Sequence, residues 1–476
     1  MNSQRVLDIF KEITTIPRES GHEGPVTDWL CRWAEANGLA FKRDATGNVL
    51  IIREAAPGKE SVPAVVLQAH QDMVCEKNSG IKHDFRKDPI PWVIEDGWMI
   101  AKDTTLGADD GIGIAACLAL LEDSTPTGKI ECLFTISEET GMDGAEALES
   151  GFFDGKTLIN LDSEDEGQLF IGCAGGLNTN VRFAVRRETS IRGSKYLQLS
   201  IGGGIGGHSG DDINKGRANA VQLMARFLHT CLGPTFRLVS IDGGGKPNAI
   251  ARECSAVVAV MDPEAVASAF SSFGSDVREE FHVTDPGLEF TTAPVAKTGK
   301  LPMSRPATNK VINSLFAAPH GVFAMSQDIP GLVQTSTNLA SVHTHAKSGV
   351  VEIVTSQRSS ATSERSAMAA KVRTCFEGFG AKVRHMYEYP GWNPDVNSHI
   401  LARTVEAYRK LFSQEPEVKA IHAGLECGLF LQKFPGLDMI SFGPTLRGVH
   451  APGEKLELAS MDKFVALLDY VVCNFQ

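Results

Sequence analysis

Five short segments place a His or a carboxylate where an apolar run stops: QAHQD at 68–72, GADDG at 107–111, SEETG at 137–141, NLDSED at 160–165 and RGVHAPG at 447–453. In an open α/β sheet, side chains at the ends of neighbouring buried strands converge on one crevice, where such sheets bind their ligands. Imidazole and carboxylate without thiolate suit zinc, manganese or cobalt better than an iron–sulfur cluster or copper. Two His with three carboxylates exceed what one tetrahedral zinc requires. The set therefore predicts a pair of ions sharing a bridging carboxylate, about 3.5–4 Å apart, that jointly polarise a carbonyl and a water. The chemistry is metal-dependent hydrolysis.

Each segment has its own logic. In VVLQAHQDMV the two-residue period of a strand puts His70 and Asp72 on one side at its exposed end. LGADDGIG sets Asp109 and Asp110 between glycines ahead of a helix, where backbone N–H groups and the helix dipole favour a carboxylate; one of the two also reads as the helix cap. ISEETG carries Glu138 beside Glu139, which point apart if the backbone stays extended, so that one can bind metal while the other holds a water. In LINLDSEDEG, Asp162 ends the apolar run, whereas Glu164, Asp165 and Glu166 read as a solvated turn. His450 lies in a loop shaped by Pro and Gly. The glycine runs IGGGIGGHSG and DGGGKPN fit neither GxxxxGK[ST] nor a strand–GxGxxG–helix context, and read as tight turns or close approach to substrate.

Periodicity supplies the elements that must position these groups. Amphipathic helices are predicted over 5–16, stopping before Pro17, and over 25–37, closed by Gly38. Continuous β-branched runs at 48–53 and 64–69 predict strands buried on both faces. A helix over 111–122, a strand over 130–136, a helix over 143–150 and a strand over 157–161 follow, the order of a βαβ sheet. Beyond about 178 the texture changes to amphipathic strands, such as 196–201 and 254–261, each adjoining a helix. The last segment returns to a helix over 398–412, a strand over 438–442 and a helix over 460–473. The predicted architecture is an α/β catalytic domain, a mostly parallel sheet with helices on both faces, split into 1–179 and 391–476 by an inserted α+β domain over 180–390. Within the insert, PNAIARECSAVVAVMDPEAVASAF and TNLASVHTHAKSGVVEIVTSQRSSATSERSAMAAKV both run Asn, apolar, Ala, strand, helix, which points to internal doubling.

Composition narrows the partners. A chain of 476 residues exceeds the usual size of one hydrophobic core, so two domains are expected. A formal charge of -12 argues against nucleic acid and anionic membrane surfaces and for small substrates. No stretch approaches about 18 consecutive apolar residues, so no membrane span is predicted, and the first twenty residues lack the apolar core of a secretory signal. Ten Cys without a CxxC pair read as reduced thiols of a cytoplasmic protein.

Taken together, QAHQDMV, TTLGADDGIG, ISEETGMDGA, INLDSEDEG and RGVHAPGEKL resemble the M20 metallopeptidase family, and within it the cytosolic aminoacyl-histidine dipeptidase branch. The motifs occur in family order over nearly the whole chain. This resemblance implies hydrolysis of Xaa-His and other dipeptides with two divalent ions, zinc first, with manganese or cobalt as alternatives. His70 and Asp162 would hold one ion, Glu139 and His450 the other, and Asp109 would bridge them. Asp72 would orient or sharpen His70, and Glu138 would be the base that deprotonates the water and later delivers a proton to the leaving amine. One departure is Ala69, where the family has Gly before the first His; a methyl there alters only local backbone freedom.

The insert resembles the family's lid, which closes to exclude water. GGIGGHSGDDINKGRANA carries His208, whose implied role is to reach the scissile carbonyl and stabilise the oxyanion. KPNAIARE supplies Asn248 and VTSQRSS supplies Arg358 as implied substrate grips, Arg358 for the free C-terminal carboxylate; the plainer readings are a turn-shaping Asn and a surface cation. HAGLECGLF offers Glu426, either to neutralise a substrate's α-ammonium or to cap a helix. The lid either pairs two chains as a C2 homodimer or, if doubled, mimics that interface within one chain, so His208 acts in its own subunit or across a dimer. Two rival functions remain: N-acyl amino acid deacylation with the same ions, and a non-catalytic binding protein. The second is disfavoured because every ligand position and the base are occupied.

Overall fold

Strands Val65–His70, Ile130–Thr135 and Thr157–Asn160 are buried along their whole length, as continuous apolar runs require of strands covered on both faces. In the computed structural model, which describes residues 1–296 and 301–475, they lie in an eight-stranded sheet. Ile130–Thr135, Val65–His70, Thr157–Asn160 and Asp438–Ser441 run parallel at its centre. Antiparallel strands flank them, Val49–Arg53 on one side and Gln168–Cys173 on the other. The parallel strands thus end together, just before Gln71, Ile136 and Leu161. Helix Ala108–Glu122 packs on Val65–His70 and along helix Ser3–Ile13. Its run of Ala, Ile and Leu is buried on every side, as expected for a helix that is apolar all round.

The chain divides into two units, Met1–Gly172 with Pro394–Ala420 and Leu425–Gln476, and Cys173–Asn393 with Ile421–Gly424. The first boundary lies a few residues before 179 because Gly175–Ala184 is a strand of the second unit's sheet. The second lies after 390 because Trp392 exchanges backbone hydrogen bonds with Cys173. The short return at 421–424 carries no signal in the sequence. It is tied in by the Ala174 N–H, which donates to the carbonyls of Ile421 and Ala423.

The second unit is built on an antiparallel sheet with a repeated plan. Its first half runs Lys195–Gly202, helix Ala220–Thr230, Arg237–Gly244, Cys254–Val260, helix Pro263–Glu280, Glu289–Val295. Its second half runs Gly175–Ala184, helix Arg305–Ala317, Val333–His345, Val350–Ser359, helix Thr362–Gly378, Lys382–Tyr389, with Gly321–Met325 added beside Val333–His345. In each half the strands lie, from the outer edge inward, in the order fourth, first, third, second. The halves meet where Arg237–Gly244 pairs with Val333–His345. One core, including Leu199, Phe227, Val258, Leu339, Ile353 and Phe376, runs under both. The strand–helix pairs of the two similar segments occupy equivalent places, but Asn248 lies in a loop and Asn338 within a strand.

Local structure departs from expectation at SEETG. Glu138 and Glu139 start a single helical turn, Glu138–Gly141, instead of continuing an extended chain, and the helix that follows is only Asp143–Ala147. Ser137, at φ 54°, makes the reversal.

Candidate metal centre

His70 ends its strand fully buried. Its Nε2 lies 2.9 Å from Asp109 Oδ1 and 3.4 Å from Asp162 Oδ1. Its Nδ1 faces Asp72, 3.1 Å from the carbonyl oxygen and 3.4 Å from Oδ1. Asp109 and Asp110 stand at the start of helix Ala108–Glu122 with non-helical backbone angles and a cis peptide between them. Their side chains make different contacts. Asp110 turns into the helix, where its Oδ1 accepts the Gly113 N–H at 3.1 Å, while Asp109 faces outward to the imidazoles. Asp110 also comes within reach of His70 and Asp162, and its Oδ2, buried, has no hydrogen-bond partner among the described residues.

The other oxygen of Asp109, Oδ2, lies 3.1 Å from His450 Nε2. The same nitrogen is 2.9 Å from Glu139. The structure therefore brings His70, Asp109, Glu139, Asp162 and His450 into one continuous cluster, with Asp72 beneath it. Asp72 also holds the SEETG turn: its Oδ1 accepts the Glu138 N–H at 3.0 Å and its Oδ2 the Glu139 N–H at 3.2 Å, with Ser20 Oγ donating at 2.8 Å.

The titratable groups of the cluster influence one another. Hydrogen bonds to Asp109 and Glu139 push the His450 pKa up to about 11. Burial would lower that of His70, but Asp162, Asp109 and Asp72 outweigh it and hold it well above the usual value. Burial pushes Asp162 and Glu138 well above the ordinary carboxylate range and Glu164 up to about 7. Closely packed acids, most of them buried, thus concentrate negative charge around two imidazoles. Divalent cations would neutralise the same charge while accepting imidazole nitrogen and carboxylate oxygen as ligands, so this donor set fits a pair of them.

Three buried groups that sequence patterning missed hold the cluster's loops. Arg18 donates from Nη1 to the carbonyls of Gln71 (3.2 Å) and Asp72 (2.8 Å) and from Nη2 to that of Gly107. Glu23 Oε1 accepts from Ser137 N (3.1 Å) and Oγ (3.0 Å), supporting the left-handed residue next to Glu138. Glu454 accepts the N–H groups of Leu106 (2.7 Å), Gly107 (3.0 Å) and Ala108 (2.8 Å), joining the loop after His450 to the turn before Asp109. No local pattern marks these residues, because each acts on backbone distant in sequence. Glu454→Gln replaces one acceptor oxygen by an NH2 that faces backbone donors. Metal affinity is expected to fall by about 10–100-fold, with a lower melting temperature. Isothermal titration with Zn checks this, and an unchanged affinity would refute the role.

Glu426 begins helix Glu426–Lys433 but does not cap it. Its Oε2 accepts from Gln68 Nε2 (2.7 Å) and Thr135 Oγ1 (2.8 Å), and its Oε1 has no hydrogen-bond partner among the described residues. The helix-capping alternative is therefore set aside. Burial pushes its pKa up to about 7, and its charge reinforces the upward shift of Glu138.

In the second unit His208 and Arg358 meet, with Nε2 3.5 Å from Arg358 Nη2, and Asp211 Oδ2 lies 3.1 Å from His208 Nδ1. The Asn248 carbonyl accepts the Ser209 N–H at 2.8 Å, and Ala249 bridges to His208, so the two loops are joined; the Asn248 side is exposed. Arg358 is not a surface cation. It is 7% exposed, and with His208 its charge holds the Asp211 carboxyl below the ordinary range.

Among the described residues no helix is long and apolar enough to cross a membrane, and no disulfide links the cysteines. The family model described as Peptidase family M20/M25/M40 matches residues 66–474. The cytosol non-specific dipeptidase of Escherichia coli (strain K12) is 38% identical over 474 residues, 98% of this chain and 97% of that protein. The crystal structure of aminoacylhistidine dipeptidase from Vibrio alginolyticus superposes with a TM-score of 0.89 at 39% identity, covering 98% of this chain and 96% of the other. An aminopeptidase from Bacillus cereus, at 16% identity and a TM-score of 0.59 over 99% of this chain and 98% of its own, shares the fold.

Proposed function

Because the chain belongs to peptidase family M20/M25/M40, we propose that it is a dipeptidase acting on Xaa-His and other short peptides with free termini. Two divalent cations would be held by His70 and Asp162, by Glu139 and His450, and by Asp109 between them. The observation that carries this reading is that the two oxygens of Asp109 address different imidazoles, His70 at 2.9 Å and His450 at 3.1 Å. Asp109 would thus be placed to serve an ion on either side of it. Zinc suits the donors, with manganese and cobalt as alternatives.

When bound, the cations acidify a water and polarise the scissile carbonyl. Glu138 takes a proton from the attacking water and returns it to the leaving amine. Asp72 keeps the His70 ring and the Glu138–Glu139 backbone in place. In the second unit, His208 donates to the developing oxyanion, Asn248 grips the peptide and Arg358 binds its terminal carboxylate. Glu426, buried and with one oxygen unpartnered, is assigned to the substrate's α-ammonium. The Escherichia coli relative is named for the cytosol, and we assign the same compartment here.

Elemental analysis joined to a dipeptide panel tests the reading. About two ions per chain and release of amino acids from dipeptides are expected. Preferential release from N-acetyl amino acids would replace dipeptidase by deacylase. No hydrolysis after addition of Zn, Mn or Co would leave only a binding protein.

A further inference from the structure

Arg358 is a buried guanidinium that makes no direct ion pair among the described residues, Asp211 reaching it only through His208, and its Nε has no hydrogen-bond acceptor among them. A cation kept from water without a counter-ion is unfavourable unless an anion is to arrive. The neighbouring strands explain how it stays unpaired. Arg358 lies opposite Gly176, and on the far side of that strand Lys382–Tyr389 pairs in regular step, Lys382 with Arg182, Arg384 with Asn180, Met386 with Asn178. Continued, this register would set Glu388 opposite Gly176, in the same row as Arg358.

A β-bulge prevents it. The register shifts after Met386, so that Tyr389 takes the place opposite Gly176. The extra residue falls at Tyr387, which adopts φ 54° with its ring exposed to solvent. Bulges next to sites re-aim side chains in this way. Glu388 is turned aside onto Arg365, 2.6 Å from its Nη2.

Tyr389 then lies over Gly176, where a Cβ would come within 2.4 Å of the ring, and beside Gly424, where one would come within 2.8 Å. Both positions exclude larger residues. The Tyr389 hydroxyl accepts from Arg358 Nη1 at 3.2 Å, which leaves its own proton to donate.

We propose that the Tyr389 hydroxyl is a second donor to the terminal carboxylate of the substrate, set beside Arg358 by a bulge that keeps Glu388 out of the pocket. This rests on the dipeptidase reading. The arriving carboxylate receives two charged N–H groups and one O–H, and the missing counter-ion is supplied by the substrate itself.

Tyr389→Phe removes only the hydroxyl and keeps the ring. Its KM for a dipeptide should rise about tenfold, the size of one hydrogen bond to a charged group, with kcat within about twofold of wild type. The C-terminal amide of the same dipeptide, measured as a competitive inhibitor, should keep its Ki. An unchanged KM, or equal weakening of acid and amide, would overturn the proposal. The dipeptidase reading fails separately, if wild type does not cleave the dipeptide.

Discussion

Glu138→Gln is expected to lower kcat by about 10²–10⁴-fold, the range a positioned proton acceptor contributes, while bound metal stays unchanged. The two side chains are nearly isosteric. The Glu138 N–H remains on Asp72 Oδ1, so the turn that also presents Glu139 is not disturbed. What Gln cannot do is accept a proton from water. Burial, with the charges of Glu426 and Glu139 adding to it against His70, holds the Glu138 pKa above the ordinary carboxylate range, and cations held beside it would favour the ionised form that accepts the proton. Steady-state kinetics beside elemental analysis separates the two effects. Normal turnover by the variant would remove Glu138 from the mechanism, and loss of metal would make it a ligand.

Asp109→Asn should abolish turnover by a different route, through loss of the ions. Wild-type protein at about a thousand times the Kd of a cation gains about 4 kcal/mol of stability from binding. The variant should show little of the corresponding rise in melting temperature. The reason lies in the double contact: Asp109 offers one oxygen to the His70 side and the other to the His450 side. Asn keeps one oxygen and turns an NH2 toward the other imidazole, so the paired arrangement loses both charge and acceptor. Thermal unfolding across a Zn titration reads the loss. If the variant melted and bound metal as wild type does, the bridge would be misassigned.

The expected results differ in how far they were legible in sequence. The segments of His70, Glu139 and Asp162 are legible because each follows an apolar run that forms a parallel strand, and such strands end together; the choice of ligand within each segment, and of Asp109 and His450 outside those strands, comes from the family resemblance. Local pattern does not separate Asp109 from Asp110; their different contacts, Asp110 with the Gly113 N–H and Asp109 with two imidazoles, arise only in the folded chain. SEETG reads locally as a continued extended chain, yet Glu23 and Asp72 hold the segment as a turn. Arg358 could not be distinguished from a surface cation, since burial is a property of the packed sheet.

Residue type and periodicity alone determined the donor chemistry, the two kinds of sheet and the approximate place of the insertion, because those depend on side chains a few positions apart along one strand or helix. Only the tertiary structure decided which oxygen meets which imidazole, which buried groups (Arg18, Glu23, Glu454) brace the loops, and that Tyr389 rather than Glu388 stands opposite Gly176. Those outcomes rest on register and on hydrogen bonds between segments far apart in the chain. A shift of one residue exchanges the faces of a strand, and nothing in the local pattern of Lys382–Tyr389 records it.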